Sequence, residues 1–143
     1  MTKAIEAQGI GIPLPTPGRW SEPFWERARH GELVYQRCQT CGVIPSLPIR
    51  TCTCGGQLVW ERASGRATLY SWTVVWRPPH PAFTVPYVPA IAHLEEGAWL
   101  MTSLIGCAPE AAEADMALQV EFHPAGGDIW LPYVRPIVET PDA

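Results

Sequence analysis

Four of the five cysteines in this chain fall between Gln36 and Trp60, as Cys38-x-x-Cys41 and, after ten intervening residues, Cys52-x-Cys54-Gly-Gly. Cysteines this close in sequence put two thiolates on one side of a tight turn. Two such turns facing each other make a tetrahedral sulfur site, with bonds of about 2.3 Å to zinc. Gly42 follows the first pair and can take the left-handed backbone that points N–H groups at sulfur. The second pair is a residue shorter, which predicts a displaced thiolate or a loosely held metal. Spacing leaves three states open: structural zinc on Cys38, Cys41, Cys52 and Cys54, a disulfide, or a metal-free ribbon held by hydrogen bonds.

The other chemistry-bearing residues form no such constellation. Cys107 stands alone and pairs with no histidine in sequence, so it reads as a small apolar side chain at a strand end. His80 lies in the proline-rich run Arg77-Pro78-Pro79-His80-Pro81-Ala82-Phe83, next to Trp76. Loops between barrel strands commonly carry function, so Trp76, Arg77, His80 and Phe83 are candidates for touching a ligand or a partner. Arg66 joins them, because a guanidinium fork suits phosphate. His30 closes a helix, His93 sits in a strand and His123 precedes a turn. None is spaced with a carboxylate to hold a catalytic metal.

Composition narrows the function classes. The 143 residues are 47% apolar and 17% charged, which reads as folded rather than disordered. Net charge is −4 and Lys3 is the only lysine, which argues against a coat for nucleic acid. Charge is nonetheless uneven. Leu33 to Leu94 holds one acid, Glu61, against five arginines, whereas Glu95 to Asp128 holds seven acids and neither lysine nor arginine. The start of the chain has neither a basic segment with an apolar run nor a stretch of membrane length, so a cytoplasmic location is expected, where paired cysteines favour metal over disulfides.

These residues need elements to position them. Residues 1–19 read as an extended arm, since Pro13, Pro15 and Pro17 alternate among glycines. Residues 20–34 hold a helix of about three turns, with Ser21 as N-cap, Pro23 in its first turn, Trp20 and Trp25 as a hydrophobic staple, and Gly31 as its stop. Its aromatic face, Phe24 and Trp25, must bury against the chain's own body or another subunit. Residues 35–60 form the ribbon, flanked by strand-like Leu33-Val34-Tyr35 and Leu58-Val59-Trp60.

From Ser64 the apolar period becomes two. Strands are predicted at 65–76, 88–94, 99–105, 118–122 and 129–134, the first long and bent at Gly65. Five short antiparallel strands over 61–143 suggest a small barrel of the OB type. Seven tryptophans are many for this length and fit an interface; packing within the monomer and a surface for stacking single-stranded bases are the other readings.

An ordered set of residues carries a family resemblance. Pro23-Phe24-Trp25, Gly31-Glu32-Leu33, Cys38-x-x-Cys41-Gly42, Pro48-x-Arg50-x-Cys52, Ser64-Gly65-Arg66-Ala67-Thr68-Leu69-Tyr70-Ser71-Trp72, Pro86-Tyr87-Val88, Leu94-x-Glu96-Gly97 and Leu131-Pro132 together resemble the DUF35 proteins, over about residues 20–136. The departure is at Cys52-Thr53-Cys54-Gly55, where the family usually shows C-P-x-C-G. The resemblance implies an N-terminal helix and a rubredoxin-like zinc ribbon joined to an OB-fold domain. It implies a non-catalytic accessory subunit of a thiolase-like acyl-CoA enzyme, or of a MaoC-type enoyl-CoA hydratase, in a hetero-oligomer. The zinc would be structural, and the chain would help shape the partner's acyl-CoA channel.

Overall fold

The computed structural model describes residues 2–138. One short helix, α1 (Glu22–Ala28), precedes a two-stranded ribbon of β1 (Val34–Cys38) and β2 (Leu58–Arg62). Five further strands follow: β3 (Arg66–Trp72), β4 (Val88–Leu94), β5 (Trp99–Leu104), β6 (Ala117–Gly126) and β7 (Ile129–Pro136). They close into a barrel in the order β3-β4-β5-β7-β6, with β6 returning to β3. The chain is mainly β, with an OB-like barrel as expected, but the strands are not all antiparallel: β5 meets β7 in parallel at Leu104 and Val134.

Alternation explains why the barrel closes. Along β4, Val88, Ala90, Ala92 and Leu94 are buried while the residues between them are half-exposed. The inward alanines keep the lumen narrow enough for Leu69, Leu104, Leu118 and Val134 to fill it, and all four are almost completely buried. Burying a leucine of this kind contributes about 1.5–3 kcal/mol.

Four local expectations are corrected. The first barrel strand ends at Trp72, and beyond it a Thr73 N–H bond to Pro89 O and the isolated Val75–Tyr87 bridge carry the pairing on. Its bulge lies between Leu69 and Ser71 rather than at Gly65, because Tyr70 is the extra residue opposite β4. Helix α1 has seven residues, not three turns, and Ser21 makes no side-chain cap: its hydroxyl is spent on Gly18, accepting from the backbone N at 2.9 Å. With so few intrahelical bonds the helix depends on packing.

The N-terminal arm lies along the chain's own barrel. Ile5 and Ile12 are buried, and Ile5 exchanges backbone bonds with Cys107 and Gly106 at 2.9 and 2.8 Å. Gln8 reaches the loop before β4, where its amide binds both N and O of Thr84 at 2.7 and 2.9 Å.

Leu69→Ala should lower barrel stability by about 2–5 kcal/mol. The exposed neighbour Thr68→Ala should stay within about 0.5 kcal/mol of wild type, both read from urea unfolding midpoints.

Candidate functional site

β1 delivers Cys38 to the end of its ladder, and the chain folds back at once. Val43 O accepts from Cys38 N at 2.9 Å and Cys38 O accepts from Gly42 N at 3.0 Å, with Gly42 at φ +77°. Cys52 opens the second knuckle, where Gly55 N donates to Cys52 O at 2.9 Å. Gln39 N donates to Gln57 O at 2.9 Å and ties the two knuckles together. The residues between them are held by Gln36, a buried side chain whose amide binds both N and O of Ile49 at 2.9 Å. Nothing in its spacing singled out Gln36.

The four ribbon cysteines are unbridged, and their sulfurs all lie within 4.8 Å of one another. Cys38 and Cys54 approach to 3.5 Å, and Cys41 and Cys52 to 3.6 Å. Four sulfurs around one zinc at 2.3 Å would stand about 3.8 Å apart, so the cluster has the size of a tetrahedral metal site. The short second pair therefore brings both of its sulfurs in, contrary to the displaced thiolate its spacing predicted. Cys38 and Cys52 are buried, whereas Cys41 and Cys54 face solvent.

The electrostatics suit a cation. Backbone N–H groups of Cys41 and Thr40, 3.5 and 3.4 Å from Cys38 Sγ, draw that thiol down to about 6. Gly56 N donates to Cys54 Sγ from 3.3 Å, yet the crowding sulfurs of Cys38, Cys52 and Cys41 push the Cys54 thiol up to about 12. One thiolate forms readily and further ones need a positive charge among them, so the four cysteines could hold a metal ion. Gly56 permits this closeness: a Cβ there would stand 2.6 Å from Cys38 Sγ.

The remaining sequence candidates fall into two places. Phe24 and Trp25 from α1 and Phe83 from the loop before β4 line one cavity between helix, ribbon and barrel. Arg66, Trp76, Arg77 and His80 are exposed and lie outside it. His80 is turned inward on its own loop, its Nδ1 accepting from Ala82 N at 3.1 Å. Trp25 has Phe24 edge-on at 5.0 Å, while Trp20 carries Arg50 at 5.6 Å. Burial pushes the Cys107 thiol up, the reverse of what activates a nucleophile. His93 stacks on Trp99, and His123 and His30 pair with Glu121 and Glu26. No helix among the described residues is long and apolar enough to cross a membrane.

A four-cysteine ribbon carried on an OB-like barrel defines the class. Within it, the profile of the ChsH2 C-terminal OB-fold domain matches residues 60–123. A chain of the Ltp2-ChsH2(DUF35) aldolase superposes with TM-score 0.81 at 35% identity, covering 87% of this chain and 100% of that one. A DUF35 domain-containing scaffold protein of Methanocaldococcus jannaschii is 31% identical over 94 residues, 63% of this chain and 67% of that protein. The chain belongs to the DUF35 family. A probable enoyl-CoA hydratase alpha subunit of Thermomonospora curvata is 37% identical over 128 residues, 88% of this chain; the match spans only 40% of that subunit's length.

Elemental analysis of the purified protein should give about one metal ion per chain. Cys38→Ser and Gly56→Ala should both lose it, the first by removing a ligand and the second by forcing the knuckles apart. Ligation displaces thiol protons, so retention should rise with pH and metal should escape as pH falls, followed by release to a colorimetric chelator. Wild-type protein that is metal-free and equally heat-stable would overturn the assignment.

Proposed function

We propose that this chain is a non-catalytic subunit of a cytoplasmic acyl-CoA-processing complex, with zinc as a structural ion on Cys38, Cys41, Cys52 and Cys54. The observation that carries the reading is the match to the Ltp2-ChsH2(DUF35) aldolase across the whole of that chain. The scaffold-protein name of the methanogen relative points the same way. The described residues add support. The unpaired thiol outside the ribbon is a poor nucleophile, and the histidines are engaged in stacking, ion pairs or their own loop. Reaction chemistry then belongs to a partner, and this chain positions it and shapes its acyl-CoA channel.

The partner we favour is a thiolase-like enzyme performing acyl transfer, condensation or retro-aldol cleavage. A hydratase partner of the MaoC type is the second reading, favoured by the match to the Thermomonospora curvata subunit. The docking surface includes Trp76, Arg77 and His80, exposed together on one loop, and Arg66 on the barrel wall. None of the seven tryptophans is buried, which suits an aromatic surface waiting for a partner.

Coexpression with a thiolase-like or MaoC-type protein should yield a hetero-oligomer of fixed stoichiometry by light scattering, with turnover that neither part has alone. Trp76→Ala should weaken it by about 2 kcal/mol, roughly 30-fold in Kd. A chain that stays unassociated with both classes overturns the proposal.

A further inference from the structure

The four ribbon sulfurs are not equivalent. Cys38 and Cys52 are 1% and 5% exposed, out of reach of a dissolved reagent, whereas Cys41 and Cys54 face solvent. Backbone hydrogen bonds divide them a second way. Thr40 N and Cys41 N donate to Cys38 Sγ at 3.4 and 3.5 Å, and Gly56 N donates to Cys54 Sγ at 3.3 Å. No N–H among the described residues donates to the sulfur of Cys41 or Cys52. Metal ligation requires thiolates. A hydrogen bond to a thiolate stabilises its charge and weakens it as a nucleophile. Of the four, only Cys41 is both open to solvent and without such a bond.

Cys52 Sγ stands 3.6 Å from Cys41 Sγ, unshielded as well, and a disulfide needs the two at about 2.05 Å. Residues 43–51 between them belong to no helix or strand, so closing that gap breaks no strand pairing. We infer that Cys41 is the oxidative modification site of this chain, attacked by a peroxide and resolved by Cys52 with release of the bound metal. In the first step Cys41 Sγ attacks one peroxide oxygen. An S–O bond forms, the O–O bond breaks, and hydroxide leaves to take a proton from water, so that Cys41 becomes a sulfenic acid. In the second step the Cys52 thiolate attacks Cys41 Sγ. An S–S bond forms, the S–O bond breaks, and a second hydroxide leaves. The two sulfurs give up the electron pair that the peroxide gains. Only Cys38 and Cys54 then remain as thiolates, half of the set a structural site needs. Cys107, outside the ribbon, is half-buried, and its burial disfavours the thiolate that a peroxide would require.

The inference rests on the four-cysteine metal site of the proposed function and is tested on the full chain loaded with zinc. Iodoacetamide should alkylate Cys41 about tenfold faster than Cys54, followed by peptide mass spectrometry. Hydrogen peroxide should release about one ion per chain to a colorimetric chelator, in step with a Cys41–Cys52 disulfide mapped on the same peptides. Dimedone present during the oxidation should be found on Cys41, where it traps the sulfenic acid. A dithiol reductant with added zinc should restore the loaded protein. Cys107→Ser should change none of these results. Three outcomes would overturn the inference: first alkylation at Cys54 or Cys107, a Cys38–Cys54 disulfide as the main product, or zinc retained under excess peroxide. Each of them, seen in a chain that carries zinc, leaves the metal assignment standing. A chain that takes up no zinc removes both.

Discussion

The ladder between β1 and β2 spans five residues on each side, and a two-stranded pair of that size is at best marginal in water. The nineteen residues that connect the strands contribute little core of their own. Four sulfurs drawn to within 4.8 Å give that connection its shape, and as thiolates they would need a positive charge among them. Much of the rest hangs on that closure. The ribbon forms one wall of the apolar cavity, and Ile44 from the connecting loop rests near the β4–β5 turn at Gly97. A loosened sulfur cluster would release a wall as well as a loop.

The barrel supplies the rigid counterpart. Its lumen is filled by branched side chains against alanines, and Leu33 and Ala63 at the ribbon's ends belong to the same buried cluster. Polar clasps hold the extended segments in place, two of them within the ribbon and one between the arm and the loop before β4. Gln8 fixes the arm to Thr84, Gln36 fixes the knuckle loop to Ile49, and Glu61 gathers the Tyr35 hydroxyl and the Arg37 guanidinium across the ladder at 2.7 and 3.1 Å. Each satisfies backbone or charged groups that would be costly to bury alone. The clustered sulfurs shape the ribbon, and the tryptophans, unlike buried Tyr133, keep some contact with solvent.

Legibility in the sequence followed the range of the interaction. The barrel strands were readable because alternation is local and repeats, as in Val88-Pro89-Ala90-Ile91-Ala92-His93-Leu94. The knuckle residues were readable because Cys-x-x-Cys and Cys-x-Cys-Gly-Gly are compact. Ser21 misled because a cap is chosen by competition, and Gly18 N lies closer to its hydroxyl than the helix does. The bulge was placed at Gly65 on grounds of backbone freedom, although the register across two strands puts Tyr70 out of step. The arm, dominated by prolines, gave no periodicity from which docking could be read.

By itself, then, the amino-acid order determined the kinds of element, the identity of the sulfur cluster and the family pattern, since each is written in short motifs or a short local repeat. Tertiary structure alone decided that Cys52-x-Cys54 brings both sulfurs to the cluster, and that the arm clasps its own barrel. It also decided that residues from Gln8 to Tyr133 wall an uncharged cavity. Those outcomes depend on contacts between segments up to 125 positions apart, and such contacts leave no local trace in composition or spacing.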